Sequence, residues 1–141
     1  MFETILVPTD GSEYAESAAE MALELAKTHD AAVHVLSVAD TGPLESIRLP
    51  GDAASPEGAF RARAERAVET IVSRGEETGL EMTGTVRTGP AESEILEYAT
   101  EVDADLIVMG TRGRGGVTRA ALGSVTDHVV RLGDVPVFIP E

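Results

Sequence analysis

Thr4-Ile5-Leu6-Val7-Pro8 is an apolar run that passes without a linker into Thr9-Asp10-Gly11-Ser12. A strand that is apolar on both sides of its pleat is covered on both faces, as in a parallel sheet packed between helices. The four residues that follow are turn and cap formers. From Ala15 onward the apolar positions fall at Ala18, Ala19, Ala22, Leu25 and Ala26, with Glu16, Glu20 and Glu24 opposite them. That is the period of a helix lying on a sheet. The opening of the chain is therefore a strand, a tight turn and a helix.

The rest of the chain repeats this unit. Ala32 to Val38 reads as a second strand, interrupted by His34. Asp40 to Pro56 carries Gly42, Pro43, Pro50, Gly51 and Pro56, and is too long for a routine connection. It reads as a flap near the ligand face or a solvated insertion. A second helix begins near Glu57, shows Phe60, Ala64, Ala67, Val68, Ile71 and Val72 on one side, and stops around Gly75 to Gly79. Glu81 to Thr88 alternates as a strand. Gly89-Pro90 opens a third helix with proline at its first position, burying Ile95, Tyr98, Ala99 and Val102. Asp105 to Met109 (DLIVM) is the most strand-like segment, Ser124 to Leu132 a short helix, and Val135 to Pro140 a last strand. There is no internal repeat and no break in composition, so residues 1–141 are expected to form a single domain. The order βαβαβαβαβ predicts the α/β class: a three-layer, doubly wound, five-stranded parallel sheet with right-handed crossovers.

In such sheets ligands sit beyond the carboxyl ends of the strands, where the strand order switches. Two segments qualify, Pro8 to Ser12 and Gly110 to Gly123. The second contains glycines at 110, 113, 115, 116 and 123, which permit positive φ and close approach of an anion to backbone amides. It also carries Arg112, Arg114 and Arg119 and no acidic residue. Ser124 is a candidate N-cap for the helix that follows, whose N-terminus would favour an anion. A flexible connector explains the glycines alone, but not their coincidence with position and charge. No lysine follows the glycines, so this is not a Walker A loop, and Thr118 stands where the third glycine of G-x-G-x-x-G belongs.

Charge and composition narrow the field further. The 141 residues carry 11 basic and 25 acidic side chains, a net charge of −14. That balance opposes nucleic acid or an anionic membrane as partner. With no cysteine, thiolate metal sites and cysteine nucleophiles are excluded. His29, His34 and His128 show no metal spacing and read as surface or sheet-edge residues. No basic leader or long apolar span is seen, which predicts a cytoplasmic protein. Lys27 is the only lysine. An acidic, lysine-poor surface suits a salt-rich cytoplasm, and equally an ordinary acidic protein from a GC-rich genome.

Gly110, two residues, Gly113, nine residues and Gly123-Ser124 form a spacing that resembles the ATP-binding motif of the universal stress protein family. The likeness extends over ILVPTDGS (5–12), DLIVMGTRGRGG (105–116), GSVTDHVVR (123–131) and the closing VPVFIP. It implies the adenine nucleotide alpha hydrolase-like version of the Rossmann-like fold, with ATP and Mg²⁺ as cofactors. By that resemblance, the backbone around Gly113, Gly123, Ser124 and Val125 would hold phosphates, with Gly110 beginning the loop. Pro8, Thr9 and Asp10 would line the adenosine, Val38 would sit at the adenine pocket and Met109 under the base. Asp10 would lie near the ribose or a phosphate-bound Mg²⁺. The family usually pairs as a homodimer through its last strand, here Val135 to Ile139.

Read from the residues alone, Asp10 is either a helix cap boxed with Glu13 or a ligand contact. Arg112 and Arg114 are either solvated charges or phosphate partners. The expected function is a nucleotide-dependent regulatory module in the stress response. The alternatives are a slow ATPase or nucleotidyl-transfer enzyme, and an ATP-independent interaction protein on the same fold. No SGGxDS or HIGH string occurs, and no catalytic base is evident, so at most weak hydrolysis is expected.

Overall fold

Alternation along each strand decides which residues it gives to which layer. The computed structural model describes residues 2–39, 56–111 and 123–140. In chain order the elements are β1 (Thr4–Pro8), α1 (Glu13–His29), β2 (Ala32–Ala39), α2 (Pro56–Glu77) and β3 (Met82–Thr88). They continue with α3 (Ala91–Glu101), β4 (Leu106–Val108), α4 (Ser124–Leu132) and β5 (Val137–Phe138). The five strands pair in parallel in the order β3-β2-β1-β4-β5. Ile5, Val7, Val33, Val35, Leu106 and Val108 pack with Ala18, Ala22 and Ala26 of α1 and Val68 and Ile71 of α2. Leu6, Leu36, Ile107 and Met109 face the other way, onto Ile95, Tyr98 and Ala99 of α3 and Val129 of α4. The expected three-layer, five-stranded parallel sheet is what forms. Among the described residues no helix is long and apolar enough to cross a membrane.

Helix α1 lies close to the sheet because its buried face is mainly alanine. Ser12 caps it, its side chain accepting the Ala15 amide at 3.2 Å, and Asp30 closes it in the left-handed conformation with φ 54°. Of the two readings of Asp10, the helix cap is therefore not the one that forms, since the cap is Ser12, two residues further on.

Several other boundaries also move. Pro90 occupies the N-cap of α3 rather than its first turn. Gly123, not Ser124, is the N-cap of α4, with no side-chain cap bond. Asp105 does not extend β4 as a strand residue. Its carboxylate accepts the Glu3 and Thr4 amides at 2.8 and 3.2 Å, bracketing the start of β1. β5 shortens to two residues because proline at 136 and 140 offers no amide to a ladder. The expected flap over 40–56 lies outside the described residues except for Pro56, which begins α2.

His34 is not at a sheet edge. It sits on β2, an interior strand, and its Nδ1 lies 3.2 Å from the Tyr98 hydroxyl, which is 2.9 Å from Thr85 Oγ1. The Arg87 guanidinium lies 4.7 Å from the Tyr98 ring centroid and pairs with Glu101 at 2.6 Å and Glu94 at 3.6 Å, fastening β3 to α3. Burial holds the His34 imidazole below its ordinary pKa, partly opposed by the charge of Glu81. Above about pH 6.5 the residue is neutral in both folded and unfolded chains. Below it, the unfolded chain takes up the proton first, so folding stability falls until the folded imidazole also titrates. We expect denaturant midpoints of the wild type to drop more steeply below about pH 6.5 than those of His34→Gln. Parallel profiles would contradict this.

Candidate functional site

Between β1 and β4 the strand order switches direction, so the loops leaving these two neighbours diverge and open a crevice at their carboxyl ends. Its two lips among the described residues are the β1–α1 turn and, on the other side, residues 109–111 with Gly123 at the start of α4.

The first lip starts at Pro8. Thr9 is buried, and its amide donates to the Leu36 carbonyl at 2.8 Å. Its carbonyl accepts the Ser37 hydroxyl at 2.7 Å, and its Oγ1 accepts the Gly11 amide at 3.1 Å. Gly11, at φ 82°, makes the left-handed step that only glycine takes readily. Asp10 Oδ1 accepts the Ser12 amide at 2.9 Å, so this carboxylate is oriented by an Asx turn.

The second lip starts at Met109, which is buried in the α3/α4 layer. The Gly110 carbonyl accepts the buried Thr126 hydroxyl at 2.8 Å. A Cβ on Gly110 would stand 2.8 Å from the backbone C and O of Tyr14, so this glycine serves close packing rather than positive φ. Gly123 likewise does not need positive φ; its φ is −65°. The Gly123 amide donates to the Thr111 carbonyl at 2.6 Å, tying the start of α4 to the exit of β4. The first helical bond of α4 runs from the Asp127 amide to the Gly123 carbonyl at 2.9 Å. The amides of Ser124, Val125 and Thr126 precede it and have no acceptor within the helix. Asp127 forks onto Arg131 Nε at 2.9 and 3.0 Å on the exposed side of α4.

Pro8, Thr9 and Asp10 thus lie at the carboxyl end of β1 and Met109 and Gly110 at that of its neighbour β4, with Gly123 bonded to Thr111 and Ser124 and Val125 following it in α4. Val38 is half-buried near the end of β2, on the sheet face that also holds Leu36 and Met109. Arg112, Gly113, Arg114 and Arg119 lie outside the described residues. Sequence reasoning passed over Ser37 and Thr126, although a hydroxyl inside an apolar strand or on the buried side of a short helix is a legible signal. Among the described residues no group of three or more His, Asp or Glu side chains could hold a metal by itself.

A model of the Universal stress protein family matches residues 1–139. The universal stress protein Sll1654 of Synechocystis is 37% identical over 139 residues, covering 99% of this chain and 85% of its own. The solved structure of the universal stress protein UspA from Lactobacillus plantarum superposes with a TM-score of 0.83 at 26% identity, covering 99% of this chain and 98% of its own. A universal stress protein solved in complex with cAMP superposes with a TM-score of 0.74 at 26% identity, covering 99% and 97% of the two chains.

Proposed function

Because the chain belongs to the universal stress protein family, and because of how its crevice is built, we propose that it is an ATP-binding regulatory member of that family. One observation carries the reading most: α4 begins at the switch point with no side-chain cap. Its first amides have no acceptor within the helix, and with the partial positive charge of the N-terminus they suit an anion. Arg112, Arg114 and Arg119, in the segment that leads into this helix, add the charge that a polyphosphate needs.

In this reading Gly110, Gly113, Gly123, Ser124 and Val125 supply backbone to the phosphates, and Arg112 neutralises them. Pro8, Thr9, Val38 and Met109 flank the adenosine. The carboxylate of Asp10, an oxygen donor fixed at the first lip, suits a Mg²⁺ ion carried in on the phosphates. A relative solved with cAMP supports an adenine nucleotide as the ligand class. The output is regulatory: occupancy shifts a population of states that a partner reads, with hydrolysis slow. The homodimer pairs through the last strand, Val135 to Ile139; Phe138 of β5 is exposed, as are Val130 and Leu132 of the preceding α4.

Calorimetric titration with ATP, AMP and cAMP, each with and without Mg²⁺, tests the proposal. Saturable binding, tightest for Mg-ATP and weakened by salt, is the expected result. Absence of heat and of any thermal shift with every nucleotide contradicts it. Light scattering on the same samples is expected to show a dimer, and a monomer would remove the β5 pairing.

A further inference from the structure

The polar residues that are buried among the described residues are Thr9, Ser37 and Thr126, at 6%, 3% and 3% exposure. All three act at the same place. The Ser37 hydroxyl donates to the Thr9 carbonyl at 2.7 Å, just beyond β1, and the Thr126 hydroxyl donates to the Gly110 carbonyl at 2.8 Å, just beyond β4. Thr9 turns its own oxygen to the Gly11 amide at 3.1 Å. A buried hydroxyl gains little net stability even when bonded and is costly when it is not. Alanine or valine would fill the same volumes without that liability. What a satisfied buried bond does supply is a single geometry.

A trans peptide unit is planar, with its carbonyl and its amide pointing opposite ways. A hydroxyl that holds the Thr9 carbonyl therefore also fixes the direction of the Asp10 amide, away from Ser37. The hydroxyl on the Gly110 carbonyl fixes the Thr111 amide in the same manner, away from Thr126. Both carbonyls are drawn toward the core, where they cannot oppose an anion in the crevice.

We infer that Ser37 and Thr126 are positioning residues of the nucleotide site, each clamping one lip of the switch-point crevice so that it is shaped before ligand arrives. The inference rests on the nucleotide-binding reading given above. Neither hydroxyl touches the ligand; each acts through the carbonyl it holds.

The test compares Mg-ATP affinity, by calorimetry on the intact protein, among the wild type, Ser37→Ala, Thr126→Val and Thr126→Ser, with thermal unfolding followed alongside. Loss of either hydroxyl is expected to weaken affinity about tenfold, the scale of one hydrogen bond. The double variant Ser37→Ala/Thr126→Val is expected to lose about a hundredfold, because the clamps are on separate lips. Thr126→Ser, which keeps the hydroxyl and removes a methyl, is expected to bind as the wild type does even if it melts earlier. If the wild type binds Mg-ATP and both Ser37→Ala and Thr126→Val bind it equally well, the positioning role is overturned and the binding reading stands. If Thr126→Ser binds as weakly as Thr126→Val, packing and not the hydroxyl sets the site, and the inference is likewise overturned. If the wild type itself binds no adenine nucleotide, the binding reading fails and the inference goes with it. Ser37→Ala removes a single oxygen and keeps the test open should Thr126→Val not fold.

Discussion

Gly110→Ala is expected to lower folding stability by about 3 kcal/mol, near the top of the range for overpacking a tight site. It should also abolish measurable nucleotide binding. The added Cβ would stand 2.8 Å from the backbone carbon and oxygen of Tyr14 and 2.9 Å from Tyr14 Cβ. Two of these atoms are backbone in the first turn of α1, so no side-chain rotation relieves the contact. Either α1 moves off the exit of β4 or the Gly110 peptide turns and breaks its 2.8 Å bond from Thr126. Both responses displace a lip of the crevice, which is why one methyl group acts on fold and site together. Urea denaturation and calorimetry on the folded fraction read the two effects separately. Loss of less than about 0.5 kcal/mol, the range of an ordinary surface change, would show that the close approach is not structural.

Ile107→Ala should cost about as much or more, on the order of 3–4 kcal/mol, but for a different reason. Ile107 is fully buried on the interior strand β4, paired with Leu6 of β1 and Val137 of β5. Its side chain packs in the layer formed with α3 and α4. Truncation there leaves a cavity that rigid strands on both sides cannot close, so transfer and cavity terms add. The lips lie beyond the strand end and keep their hydrogen bonds. The folded fraction of Ile107→Ala is therefore expected to bind nucleotide within about threefold of the wild type, less than a single hydrogen bond is worth. A stability loss under about 1 kcal/mol would fall outside the range for such truncations, and would show that the layer repacks. The pair of variants separates what holds the sheet together from what shapes its upper edge.

The architecture was legible because a sheet covered on both faces leaves uninterrupted apolar runs, and TILVP and DLIVM are such runs. Segment ends were less legible, since they depend on single contacts made across the fold. Asp105 resembled the first residue of a strand until its carboxylate was found on the Glu3 and Thr4 amides. Ser124 and Gly123 can both begin a helix, and the 2.9 Å bond from the Asp127 amide to the Gly123 carbonyl decides between them. His34 looked like an edge residue because its partner, Tyr98, is 64 positions away in the chain. The candidate site was read from topology, and the strand order does switch where β1 meets β4. Ser37 and Thr126 were legible as hydroxyls in apolar surroundings, but their acceptors, the Thr9 and Gly110 carbonyls, lie 28 and 16 positions away and were not.

Amide shift mapping of isotope-labelled protein during Mg-ATP titration tests most directly whether the mouth of this sheet is a phosphate cradle. The expected outcome is that Ser124, Val125 and Thr111 shift most and saturate together, with Asp10 following at the opposite lip. Saturable binding that leaves those four amides unmoved, or no shift anywhere in the spectrum, would contradict the assignment.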